Sequence, residues 1–241
     1  MRPRCIVADN PGPFTLDGTR TYLVGHKRVA IIDPGPYVDS HVRAVVREVA
    51  AAEQVWVLLT HGHADHSGAA EAVADAVGAE IVGVGIPAAR ALGGGEVVET
   101  DQGRIASFDT PGHSREHVTF HWIEADAGFP GDVVLGQGET TWVGEYDGCV
   151  ADYLESLERL RAVEFKTLYP GHGPAIEDPG ATLDAYEAHR RDRIRQVADI
   201  LAVRPGASTD ELLAHVYGST IPVGLEGAAF KSLQAIRDFL R

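Results

Sequence analysis

The stretch Gln54-Val-Trp-Val-Leu-Leu-Thr60-His-Gly-His-Ala-Asp-His-Ser67 runs from apolar residues straight into four metal-type ligands, His61, His63, Asp65 and His66. Residues 54–60 are apolar, rich in β-branched side chains and of strand length, so they predict a buried strand. Ser67 to Val77 predicts a helix, with Gly78 as its C-cap. The ligand run therefore occupies a strand-to-helix turn. His61 and His63 can face one side of such a loop while Asp65 and His66 turn to another, which suits two neighbouring metals better than one. The competing reading is a solvated polar loop whose histidines cap the next helix.

Zinc takes four or five donors, with one position left for water where it is catalytic. Further donors are at hand. His113 lies in Asp109-Thr-Pro-Gly-His-Ser114 and His172 in Leu168-Tyr-Pro-Gly-His-Gly173, each on a Pro-Gly turn after a short apolar stretch. Alone, either reads as an ordinary turn histidine; beside the first cluster, each is a ligand that its loop aims into a shared cleft. Asp132, in Phe129-Pro-Gly-Asp-Val-Val-Leu135, is a turn carboxylate or a bridge between two metals. Asp33, in Asp-Pro-Gly, is a turn residue or a support for a metal-binding imidazole. His117 is a donor to a substrate oxyanion or a plain residue of the following strand.

In this order, His-x-His-x-Asp-His, Pro-Gly-His, Gly-Asp and Pro-Gly-His resemble the metallo-β-lactamase superfamily across most of residues 1–180. The opening Asn10-Pro-Gly-Pro-Phe-Thr-Leu-Asp-Gly-Thr19 and the turn Ile31-Ile-Asp-Pro-Gly35 share the resemblance. The opening and Tyr169-Pro-Gly-His-Gly-Pro174 are most similar to the lactamase-like endoribonuclease group (β-lactamase-like protein two). The tail resembles that group's C-terminal helical, winged-helix-like appendage. The resemblance implies an α/β fold: an αββα sandwich as catalytic domain over 1–180 and a helical, partly winged-helix-like domain over 181–241. It implies one metal on His61, His63 and His113 and another on Asp65, His66 and His172. Asp132 would bridge them together with a water or hydroxide. The donor types suit two zinc ions, with manganese or iron as alternatives. Arg20 stands where that group usually shows Asn, a departure that bears on the local loop or a substrate contact and not on the metal site.

Pattern alone reads as mixed α/β. Strands are predicted at Thr21 to Val24, Val29 to Asp33, Val55 to Leu59, Glu80 to Val84, Arg104 to Asp109, His117 to Trp122, Val133 to Leu135 and Thr167 to Tyr169. Helices are predicted at Val38 to Ala52, Ala69 to Val77 and Ala151 to Arg161. In the tail, Thr182 to Val203 predicts one long helix carrying His189-Arg-Arg-Asp-Arg-Ile-Arg195. Ser208 or Thr209 caps a second helix, and Gly227 to Leu240 forms a third. Such spacing is either a nucleic-acid module or a helical cap that shapes the cleft.

The 241 residues carry a net charge of −14 and two cysteines, Cys5 and Cys149. Two cysteines make no disulfide framework. The chain has no apolar run of membrane-spanning length, and no secretory signal core follows Met1, so a cytoplasmic setting without membrane attachment is expected. The tail from residue 187 holds eight Lys/Arg and seven Asp/Glu, so the acidity belongs to the first 186 residues. Sequence-independent nucleic-acid binders usually show a basic surface; here the one candidate is the Arg190, Arg191, Arg193 and Arg195 stripe, alternatively a solvated face paired to Glu187 and Asp192.

A two-metal site lowers the pKa of water and stabilises oxyanions, so a hydrolase is expected, with Asp65, Asp132 and His117 as candidate catalytic side chains. By resemblance the first reading is a phosphodiesterase or single-strand endoribonuclease acting on short single-stranded RNA. The alternative is a carboxyl hydrolase of a small ester or thioester: a thioesterase (glyoxalase II-like), lactonase or lactamase.

Overall fold

In the computed structural model, which describes every residue except 92–96, 219 and 222, ten strands form two five-stranded sheets. The first sheet has the order β1 (Arg4–Val7), β2 (Arg20–Val24), β3 (Arg28–Ile32), β4 (Gln54–Leu59), β5 (Glu80–Gly83). Its first three strands are antiparallel, and β3, β4 and β5 run parallel. The parallel crossovers are helical: α1 (Asp39–Glu48) between β3 and β4, and α2 (Ala64–Ser67) with α3 (Ala70–Val77) between β4 and β5. The second sheet comprises β6 (Val97–Thr100), β7 (Gly103–Asp109), β8 (Val118–Trp122), β9 (Ala127–Phe129) and β10 (Thr167–Leu168). These are antiparallel except for the parallel pair β9–β10. Helix α4 (Cys149–Val163) precedes β10, and α5 (Pro179–Val203), α6 (Thr209–Tyr217) and α7 (Glu226–Phe239) end the chain.

The period-2 alternation of strand side chains sorts the core into layers. On β3 and β4, Val29, Ile31, Val55, Val57 and Leu59 face the helical side and pack with Val45 and Val73 of α1 and α3. The intervening Ala30, Ile32 and Leu58 face the second sheet and meet Ile105, Phe120, Trp122 and Phe129. Beyond that sheet, Tyr153, Leu157 and Leu160 of α4 share one apolar cluster with Leu183 and Tyr186 of α5, Leu212 of α6 and Leu233 and Ile236 of α7. The result is an αββα sandwich. Each fully buried Val, Leu or Ile contributes about 1.5–3 kcal/mol relative to exposure, so the layering is strongly specified.

Several elements differ from expectation. Val133 to Leu135 is not a strand. Gly131, with φ 49°, turns the chain after β9, and Val133 N–H donates to the Pro130 carbonyl at 3.1 Å. The apolar character of Val133 and Val134 reflects burial in the cluster of α4 and the tail helices, not sheet pairing. Helix α5 begins three residues earlier than expected, at Pro179, because Asp178 caps it by accepting from Ala181 N–H at 3.0 Å. Ser208 does cap α6, in a reciprocal pair with Glu211. The tail contributes three helices and, among the described residues, no strand; no described helix is long and apolar enough to cross a membrane.

At one end of the sandwich the sheets are stitched together. Val118 N–H donates to Thr60 O at 2.9 Å, and Arg20 N–H to Gly171 O at 2.8 Å. The strand ends that carry Asp33, Thr60, Asp109, Asp132 and Tyr169 converge on this edge.

Candidate metal centre

His61 and His63 leave the end of β4 in an extended turn, whereas Asp65 and His66 lie on the single-turn helix α2. His113 follows β7, Asp132 follows β9 and His172 follows β10. Chain segments far apart in sequence thus place five imidazoles and two carboxylates in one pocket. His61, His66, His113, Asp132 and His172 are buried, and Asp65 is partly open to solvent.

Each of the five imidazoles has one nitrogen engaged with an acceptor outside the pocket. His66 Nδ1 donates to Asp33 Oδ2 at 2.8 Å. Thr60 donates its hydroxyl proton to the same oxygen at 2.7 Å, so Thr60 Oγ1 is left to accept from His61 Nδ1 at 3.0 Å. His113 Nδ1 meets the Trp142 carbonyl at 2.9 Å, His63 Nε2 meets Glu145 Oε1 at 3.2 Å, and His172 Nδ1 meets the Gly18 carbonyl at 3.4 Å. The second nitrogen of every ring then faces inward, the arrangement that outer partners impose on metal-binding histidines.

The inward atoms crowd one another. His61 Nε2 is 3.1 Å from His63 Nδ1, which is 3.0 Å from His113 Nε2. His66 Nε2 is 3.2 Å from His172 Nε2, and His172 Nε2 is 3.2 Å from Asp65 Oδ2. Asp132 reaches both groups, with Oδ1 3.4 Å from His66 Nε2 and Oδ2 3.4 Å from His172 Nε2 and 3.8 Å from His113 Nε2. Metal bonds of about 2.0–2.1 Å put two donors about 3.3 Å apart across a tetrahedral edge, so these separations fit a cation better than hydrogen bonds between rings. Among the described residues, three overlapping groups could hold a metal ion: His61–His63–His113, His61–His66–Asp132 and Asp65–His66–His172. Asp132 Oδ1 is buried without a hydrogen-bond partner, an orphaned acceptor that a cation would satisfy.

The electrostatics agree. Burial, reinforced by His66, His117 and His113, drives His61 well below the ordinary imidazole range; burial likewise holds His113 down, at about 4. At His66 and His172 burial also opposes charge, but Asp132 outweighs it, joined by Asp33 at His66 and Asp65 at His172. His66 rises well above the ordinary range and His172 to about 9. Asp132, despite its burial, is held well below the carboxylate range by His66 and His172. The pocket draws positive charge inward, which a proton or a metal cation can supply.

The remaining candidates fall behind this face. Asp33 accepts from Thr60 N–H at 2.8 Å as well as from the Thr60 hydroxyl and His66, so one buried carboxylate orients His66 directly and His61 through Thr60. His117 is buried and stacked on His61 at 4.9 Å between ring centroids. Its Nε2 accepts from Asp132 N–H at 3.3 Å and its Nδ1 bonds Thr110 Oγ1 at 3.0 Å. Both nitrogens are thus engaged within the protein, and the ring supports the Asp132 backbone. Arg20 forms a bidentate pair with Asp17 at 2.8 and 2.9 Å, while Asn10 ties the loop together through Thr19. Sequence reasoning named no role for Thr60, Glu145 or the Trp142 carbonyl. Thr60 stood next to the motif, but nothing local marked Glu145 or Trp142.

The sandwich and its edge pocket define a class, and comparison with known proteins agrees. The sequence profile of the metallo-β-lactamase superfamily matches residues 14–105. The beta-lactamase-like protein 2 homolog of Caenorhabditis elegans is 27% identical, over 96% of this chain and 81% of its own length. The lactamase-like protein aptB of Emericella nidulans is 31% identical over 88% of this chain and 72% of its own. An atrochrysone carboxyl ACP thioesterase of Aspergillus fumigatus is 28% identical over 98% and 76%. Among solved structures, a metallo-beta-lactamase family protein from Thermus thermophilus superposes with a TM-score of 0.81 at 22% identity, over 99% of this chain and 93% of that one. The chain belongs to the metallo-β-lactamase superfamily. It is an enzyme of that class, a hydrolase, with a His/Asp cluster able to hold metal.

Proposed function

We propose that the chain is a two-metal hydrolase. His61, His63 and His113 would hold one zinc ion, Asp65, His66 and His172 a second, and Asp132 would span both; manganese or iron also suits this donor set. The observation that carries the reading is that all five imidazoles turn one nitrogen outward to an acceptor and leave the other facing the pocket, where His61, His63 and His113 meet one another and His66 and His172 meet Asp65 and Asp132. When bound, such a pair would supply Lewis-acid activation of water and stabilise developing oxyanion charge. Asp65, partly open to solvent, would help hold the second ion and could also orient a water there and take up a proton. Asp33 holds His66 directly, and Thr60, itself held by Asp33, holds His61, so that the other nitrogen of each ring is turned into the pocket.

For the substrate, a small carboxyl ester or thioester is the better supported class. A relative aligned over nearly the whole chain bears the name of a thioesterase. The basic stretch that would have argued for RNA is spoken for. Arg190 is buried, Arg191 pairs with Glu187 at 2.7 Å, Arg195 pairs with Asp192, and Arg193 lies over the Tyr217 ring at 4.4 Å. A phosphodiester in short single-stranded RNA is the second reading, favoured by similarity to the beta-lactamase-like protein 2 homolog. The test pairs metal analysis with a substrate panel: an acyl thioester, a lactone, nitrocefin, bis-p-nitrophenyl phosphate and single-stranded RNA. About two zinc ions per chain are expected, falling in His61→Ala and Asp132→Ala, with the thioester turned over fastest. Metal content unchanged in both variants would overturn the two-metal reading, and turnover of RNA alone would overturn the thioester one.

A further inference from the structure

Arg190 lies in the middle of α5, in the most basic stretch of the chain, yet only 3% of it is exposed. Among the described residues no carboxylate lies within ion-pair distance of it. Its guanidinium sits 5.3 Å from the Tyr153 ring centroid, its Nε has no partner, and its Nη2 donates to the Thr141 carbonyl at 3.0 Å. A buried cation without a counter-charge is costly, and an apolar side chain of similar volume is often neutral or stabilising in its place. Packing alone does not account for an arginine here.

The bond to Thr141 holds a segment that touches the pocket. The next residue, Trp142, accepts from His113 Nδ1 through its carbonyl and stacks its ring on His63, with centroids 6.0 Å apart. Glu145, three residues on, meets His63 Nε2. Between them, Gly144 packs so closely on α7 that an added Cβ would lie 2.9 Å from the Lys231 and Ser232 backbone. Residues 141–145 therefore orient His63 and His113, and are themselves clamped by α5 and α7. The other group has different supports: His66 rests on Asp33, and His172 on the Gly18 carbonyl.

We infer that Arg190 is a positioning residue for the His61–His63–His113 group alone, acting through the Thr141–Trp142 backbone. The inference rests on the two-metal reading above. It makes the tail a brace for one of the two ions, and it predicts an asymmetric effect. The test uses the full chain loaded with zinc and titrated with a chromophoric zinc chelator, so that two dissociation constants are read. His63→Ala and His172→Ala assign them to their groups. In Arg190→Met the constant lost in His63→Ala should weaken by about 10–100-fold, the usual effect of removing an outer partner, while the other stays within about twofold. Arg190→Lys, which keeps the cation and one donor, should weaken the same constant by a smaller factor; it carries the test if the methionine variant does not fold. Leu212→Ala, a buried tail residue outside this chain of contacts, should lower thermal stability and leave both constants in place. The inference is overturned if the folded Arg190 variants keep both constants, if both weaken together, or if Leu212→Ala reproduces the selective loss. A wild-type chain that binds one equivalent of zinc breaks the two-metal reading itself, before any variant is compared.

Discussion

Asp33 holds a left-handed backbone conformation, φ 50°, at a buried position where its carboxylate gathers Thr60 N–H, the Thr60 hydroxyl and His66 Nδ1. Asp tolerates that conformation better than most non-glycine residues, and strain of this kind persists only where the surroundings hold it in place. Asp33→Ala leaves those donors unsatisfied and should destabilise the chain by about 3–5 kcal/mol in denaturant unfolding. Asp33→Asn keeps an acceptor for Thr60 N–H, should unfold later than the alanine variant, and should still lose about 10–100-fold in zinc affinity. Gly171 gives a second residue-scale prediction. An added Cβ would stand 2.4 Å from His66 Cε1 and 2.8 Å from Asp132 Oδ1. Gly171→Ala should therefore displace the two residues that join the donor groups and cut activity at least tenfold, with circular dichroism unchanged; wild-type turnover in that variant would count against a shared centre. The candidate donors were legible in the sequence, because their types cluster in short turn motifs. Glu145 and the Trp142 carbonyl were not, because only the return of residues 136–148 over the pocket gives them a ligand to support.

Strands and helices follow their patterns where one face is apolar, and part from them where an apolar run is buried for another reason. β3 and β4 were legible because apolar side chains fill both faces, one against helices and one against the opposite sheet. Val133 and Val134 read as strand for the same composition but lie in a turned segment under α4 and the tail helices. The sheets also depend on a polar clip. Asp101, after β6, accepts from His26, Lys27 and Arg28 N–H at 2.9, 3.0 and 2.8 Å, which holds the β2–β3 turn. Although its slight burial acts the other way, those bonds lower its pKa to about 2. A carboxyl held below its ordinary value of about 3.9 contributes fully above that value and loses the contribution as pH falls through the folded-state pKa. Asp101→Ala should thus cost about 1 kcal/mol near neutral pH, discounted for exposure. The gap from wild type should close as an acid titration runs from about pH 4 to about pH 2; a constant gap would remove the carboxylate's charge as the cause.

On the scale of the whole molecule, the tail and the catalytic layers share one apolar cluster. Removing the residues after 178 would uncover Tyr153, Leu157, Leu160 and Leu168, and the shortened chain should be insoluble or bind the dye ANS strongly, while the full chain unfolds in a single denaturant transition. A soluble truncated chain with native zinc content would show that the layers stand without the tail. Motif order and donor chemistry made the hydrolase class and the seven candidate donors readable in one dimension, since the types and spacings of the donors are local; the sandwich followed only from the family resemblance those motifs carry, pattern alone giving mixed α/β. Which nitrogen of each imidazole faces inward, and what supports it, arises from contacts between residues as distant in sequence as His172 and Gly18, 154 positions apart. The fate of the basic stretch is likewise a matter of packing. Its arginines read as a charged face in sequence, and burial of Arg190 against Tyr153 and Thr141 turns one of them into a support for the pocket. Local composition carries the chemistry of a side chain, but its partners and its solvent exposure exist only once the layers have closed.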